Sequence, residues 1–157
     1  MKIARKQLFL LTWIILCVFY GLAQETGIKT KGAISLKAGG IIYKADSTHS
    51  RGYGMRQSDK AFISAANKEN MLLDVKWNGF RGTGIYVITR GKGEAELMLN
   101  LKIYSMIQAD DYLKITITSV KEKGALLLLN GIFEGRLQDK KNSKVIITEG
   151  KFETYIL

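Results

Sequence analysis

The chain has 157 residues with 24 Lys and Arg against 14 Asp and Glu, a formal charge of +10, one cysteine and no proline. That length supports one domain with a single core. The lone cysteine excludes an internal disulfide framework, and a zinc site built on cysteines is excluded with it.

The first residues read as a leader rather than as part of a fold. Lys2, Arg5 and Lys6 make a positive start, Leu8 to Tyr20 is an almost unbroken apolar run, and Gly21-Leu22-Ala23 places small residues where a signal peptidase cuts. The run is shorter than the roughly 20 residues a membrane-spanning helix needs. Cleavage between Ala23 and Gln24 is therefore expected, with 1–23 the signal peptide and 24–157 the mature chain, secreted or periplasmic. Cys17 lies inside the apolar run, behind Ile14-Ile15-Leu16 and without the small residue that precedes a lipidated cysteine, so it reads as filler. Loss of residues 1–23 removes three positive charges and no negative ones, leaving +7. The remaining lysines are scattered or sit in apparent turns, and export argues against nucleic acid as a target.

Beyond residue 31 the dominant period is two, the period of a half-buried strand. Ala38-Gly39-Gly40 reads as a tight hairpin. The segment 46–60, "DSTHSRGYGMRQSDK", carries the weakest pattern and reads as a long loop with a short strand at 52–56. It holds the candidate binding-loop residues His49, Arg51 and Tyr53, since loops on rigid β-scaffolds often carry binding. His49 is the single histidine, and its serine neighbours lack the converging partners of a catalytic triad.

Further on, Met71, Leu73, Val75 and Trp77 share one face, and Asn78-Gly79 follows as a hairpin signal. The glycine clusters "RGTGIY" and "RGKGE" lead into strand patterns rather than helices, so neither is a phosphate loop. In "ELMLNLKIY" the alternation assigns Leu97, Leu99, Leu101 and Ile103 to the core. Asp110-Asp111 lacks the alternate spacing of a calcium loop and reads as a polar turn before the strand 113–118. The aromatic residues are assigned mainly to the core, with Tyr53 and Phe80 expected to be the most exposed. Gly-x-Phe-Glu occurs twice, at 131–134 and 150–153, as two strands of one hairpin turning at 139–143. Phe133 and Phe152 then face inward and Glu134 and Glu153 outward, with Ile146, Thr148 and Gly150 placed on the Phe152 face.

These patterns predict an all-β, single-domain fold, an antiparallel sandwich or barrel of nine or ten short strands. The succession "GGIIYKAD", "LLDVKWNGFRGTGIYVI", "DDYLKITITSV", "LLLNGIFEGRL" and "KVIITEGKFE" resembles an uncharacterised family of small secreted or lipid-anchored β-rich proteins of Bacteroidota. Gly82-Thr83-Gly84-Ile85-Tyr86 stands as a two-residue-longer form of that family's Gly-Thr-Tyr element. The resemblance implies an exported β-domain and supplies no catalytic residues. Many such members carry a lipoprotein cysteine that this chain lacks, so release rather than anchoring is expected.

The functional expectation is a non-enzymatic binding or structural module of the envelope, with no catalytic residues, cofactor or metal. Its candidate partners are an envelope component, a polysaccharide or a small apolar ligand, and membrane contact is expected only through an uncleaved leader. Two alternatives follow from the same residues. One is a barrel carrier lined by Leu97, Leu99, Leu101, Leu113, Ile115 and Ile117, and the other a hydrolase using Glu134 and Glu153.

Overall fold

The computed structural model describes residues 30–156, so the leader, Cys17 and the junction of Ala23 with Gln24 lie outside the described residues. Eleven strands form one antiparallel sheet, as the alternation predicts, with one or two more strands than it counted. They are β1 (Thr30–Ala38), β2 (Ile41–Lys44), β3 (Arg51–Met55), β4 (Ala61–Ala66), β5 (Met71–Trp77) and β6 (Gly84–Thr89). The rest are β7 (Gly93–Leu99), β8 (Lys102–Ser105), β9 (Tyr112–Lys123), β10 (Leu126–Gln138) and β11 (Lys144–Ile156).

Strand β10 is the hub of this sheet. It pairs with β9 on one side, and on the other first with β3 (Leu128↔Tyr53) and then with β11 (Gly131↔Phe152). From β11 the sheet runs to β1 and β2, and from β3 through β4, β5 and β7 to β8. Gln138 near the end of β10 also meets Ser105 at the end of β8. Inward side chains of both arms join one apolar cluster that reaches from Ile34 to Phe152.

The closing hairpin turns where expected. The Asp139 carboxylate accepts the Lys141 and Ser143 amides at 2.8 and 2.7 Å, and Asn142 sits at φ 62. Phe133 and Phe152 are buried with rings 6.2 Å apart. A Cβ on Gly150 would lie 2.7 Å from the Phe133 ring, and one on Gly131 would lie 2.8 Å from the Phe152 ring. Each phenyl ring thus fills the space a side chain on the neighbouring strand would take. One assignment fails here. Val145 and Ile147 point inward and Ile146 outward, because Glu149 adopts φ 53 and the register shifts there, reversing the alternation before Gly150.

Three other expectations are corrected. The alternation through "ELMLNLKIY" breaks at Asn100 and Leu101, whose φ values of 49 and 66 make a two-residue turn between β7 and β8. Leu101 is consequently 88% exposed and Ile103 is exposed as well. Asn78-Gly79 does not close a hairpin, since β5 pairs with β4 and β7 while the chain crosses to lay β6 against β9. In that crossing Phe80 turns inward to 6% exposure, against Trp77 and Tyr86.

The segment 46–60 is more ordered than its pattern. It forms a 3-10 turn (Ser47–His49) and then β3, which lies between β10 and β4. Its inward residues are Gly52 and Gly54, whose Cβ positions would meet the Phe152 ring at 2.9 Å and the Phe80 ring at 2.7 Å. A strand whose inward residues are glycines shows no apolar alternation.

Candidate functional site

The outward residues of β3, β4, β5, β7 and β8 fall into cross-strand rows. One row runs Arg51, Ser64, Asp74, Glu96, Ser105; a second runs Tyr53, Phe62, Lys76, Glu94. Over these rows lies an open hollow of about 760 Å³, within the range of small-molecule sites. Phe62, Asp74, Lys76, Glu94 and Glu96 line its floor, with Lys60 and Arg90 among its walls.

The charge arrangement on this floor is mixed: Lys76 stands directly across from Glu94, a favourable opposite-charge pair, while the neighbouring pair is not. Asp74 stands directly across from Glu96, and like charges in opposite positions destabilise a strand pair. Lys76 reaches Asp74 at 3.1 Å, and this hydrogen-bonded carboxylate, with Glu94 adding to it, holds the Lys76 ammonium above its ordinary value. Glu94 and Glu96 have no ion-pair partner among the described residues. Beside the acids, Phe62 stacks on Tyr53 with ring centres 5.2 Å apart and planes 25° from parallel, giving a broad aromatic surface. The hollow therefore offers carboxylate acceptors, ammonium and guanidinium donors, and an aromatic face. Its three acids and three bases cancel in formal charge, which suits a neutral polyhydroxylated ligand better than an ion.

The expected site residues divide. Arg51 and Tyr53 share the face that carries the hollow, and Tyr53 backs Phe62. His49 does not line it; the imidazole is exposed in the 3-10 turn beside Thr48 Oγ1 at 3.1 Å, and Arg51 donates to the Thr48 carbonyl. The sequence did not mark Asp74, Glu94 and Glu96, because outward polar residues on strands look like ordinary solvated surface, and Phe62 fell among the aromatic residues assigned mainly to the core, whereas it lies half-buried on the outer face.

The other candidates are spread apart. Glu134 is held by Lys114 at 3.0 Å and Glu153 by Lys151 at 2.7 Å. Gly131 opposes Phe152, so Glu153 lies beside Asn130, about 13 Å along the strand from Glu134 at ~3.3 Å per residue. That exceeds the separations of roughly 5 to 9.5 Å used by paired glycosidase carboxylates. Asp111, in the polar turn before β9, is fully buried and accepts the Ile107 and Gln108 amides and the Gln138 side chain. Leu97, Leu99, Leu113, Ile115 and Ile117 all pack in the common core, and Leu101 lies outside it. Among the described residues no group of three or more His, Cys, Asp or Glu is placed to hold a metal, and no helix is long and apolar enough to cross a membrane.

No family model, curated protein or solved structure matches this chain.

Proposed function

We propose that this protein is an exported, non-enzymatic binding module of the cell envelope, with a polysaccharide as ligand of the hollow on the outer face of β3, β4, β5, β7 and β8. The observation that carries the reading is the lining: crowded carboxylates, cations and a stacked aromatic pair around one open hollow. Sugar hydroxyls both donate and accept, so they can satisfy acids and bases side by side. Their C–H faces pack on a ring such as Phe62. The leader-like residues 1–23 and the resemblance to exported β-domains of Bacteroidota support the location.

Residues 24–157 should be retarded by at least one soluble polysaccharide in affinity electrophoresis and titrate against it in calorimetry. Phe62→Ala should weaken that binding roughly tenfold, the loss of about 1.4 kcal/mol. Retardation by none of a panel of neutral and acidic polysaccharides, or retardation indifferent to Phe62, rules the reading out.

A further inference from the structure

We infer that the free edge of β6 is a docking edge, where an extended acidic segment of a partner protein adds to the sheet. Among the described residues β6 pairs with β9 alone, from Gly84↔Ile117 to Thr89↔Tyr112. Apart from the Thr89 carbonyl, which accepts the Lys92 amide at 2.9 Å, its other side has no strand partner among the described residues and presents the open backbone groups of an edge strand. Edge strands are ordinarily blunted by charge, proline or brevity. The sequence Gly84-Ile-Tyr-Val-Ile-Thr89 has no charge and no proline, and it presents Ile85 and Val87 at 64% and 53% exposure.

A second hollow, of about 440 Å³, follows this edge. It touches Ile85, Tyr86, Val87 and Ile88 in succession, and consecutive strand residues face opposite sides. Such a hollow lies along the edge of the strand, where an added strand would sit, rather than over one face. Its far wall is Trp77, Asn78 and Gly79. Trp77 is 3% exposed, and its indole N–H is buried with no acceptor. Main-chain pairing with an open edge is a general mode of peptide recognition.

Charge selects the occupant. Arg81 precedes β6, and Arg90 and Lys92 follow it. A second copy paired antiparallel about the centre of β6 would set Gly84 against Thr89, and hence Arg81 of one copy against Lys92 of the other. Like charges so placed disfavour self-pairing, whereas carboxylates on an incoming strand meet cations at both ends.

The probes are fluorescein-labelled nine-residue peptides of alternating valine and glutamate, alternating valine and lysine, and the valine–glutamate peptide N-methylated at alternate residues. Fluorescence anisotropy should show the glutamate peptide binding roughly tenfold more tightly than the lysine peptide, and the N-methylated one not binding. Hydrogen exchange should slow at the β6 amides when the glutamate peptide is added. Val87→Pro should abolish binding; the doubly substituted Ile85→Lys, Val87→Lys chain, whose changes lie on exposed positions, should widen the preference for the glutamate peptide while remaining folded by circular dichroism. Equal binding of the two charged peptides, absence of binding at millimolar peptide, or protection outside β6 overturns the inference. So does a dimer in sedimentation whose β6 amides are the protected ones, since the occupant is then a second copy.

Discussion

Two outer faces of this sheet treat their acids in opposite ways. On β9, β10, β11 and β1 each exposed glutamate has its own cation: Arg56 with Glu122, Lys114 with Glu134, Lys37 with Glu149, Lys151 with Glu153. On β5 and β7, Asp74, Glu94 and Glu96 crowd one floor with only Lys76 within reach of Asp74, and Asp74 directly opposes Glu96. The first arrangement is what a solvated surface settles to. The second sets two acids directly opposite each other, which costs stability. An open hollow lies over the second face.

Both faces hang on one core, and the largest expected effect comes from breaking it. Phe152 is fully buried, packs on Phe133, and occupies the space left by Gly52 and Gly131. Phe152→Ala should lower the free energy of unfolding by about 3–5 kcal/mol in urea titration, and ligand binding should vanish with the fold. A loss below 1 kcal/mol would mean that the two arms do not share this support.

The seam between the arms should open in acid. Asp139, in the β10–β11 turn, binds Lys102 of β8 at 3.0 Å. Burial alone would raise its carboxyl, but the Lys102 ammonium and the Ser143 and Lys141 amides outweigh burial and hold it at about 2, below the ordinary 3.8. A depressed folded value means that the stabilisation is complete above pH 3.8 and is lost as pH falls through 2. Unfolding free energy should therefore drop between pH 4 and pH 2, and Asp139→Asn should flatten that slope. An unchanged slope in the variant assigns the acid sensitivity elsewhere.

The fold was largely legible in the sequence where the inward residues are large. Met71 to Trp77 and Leu113 to Ile117 alternate cleanly and lie as read. It was illegible where the backbone departs from a plain strand. Gly52 and Gly54 leave β3 without an apolar signature, and Glu149 at φ 53 reverses the alternation ahead of it. The β7–β8 turn is hidden for a related reason. Gly39-Gly40 announces its turn with residues that accept positive φ, whereas Asn100-Leu101 places a leucine at φ 66. The hollow was not legible, since strand alternation marks which residues face out and says nothing about which strands lie side by side.

That misfit leucine makes the next prediction. Leu101→Gly relieves a left-handed side chain that is almost wholly exposed and buries nothing, so it should stabilise the protein by about 1 kcal/mol. Urea denaturation measures it. A destabilised variant would show that Leu101 packs in solution and that the arm bearing the hollow is held together at its tip.

The smallest effect is the most telling about the two faces. Glu96→Gln removes the like-charge opposition with Asp74 and should raise stability by about 0.2–1 kcal/mol. The same change should weaken polysaccharide binding, because the amide is a poorer acceptor than the carboxylate. Glu134→Gln on the other face loses its pairing with Lys114 and should lower stability by about 0–1 kcal/mol, leaving binding untouched. Opposite signs in stability and opposite outcomes in binding are expected only if one face is tuned for a ligand and the other for the fold. Should both variants lose stability alike, the acids of β5 and β7 belong to an ordinary surface, and the hollow loses its strongest claim to function.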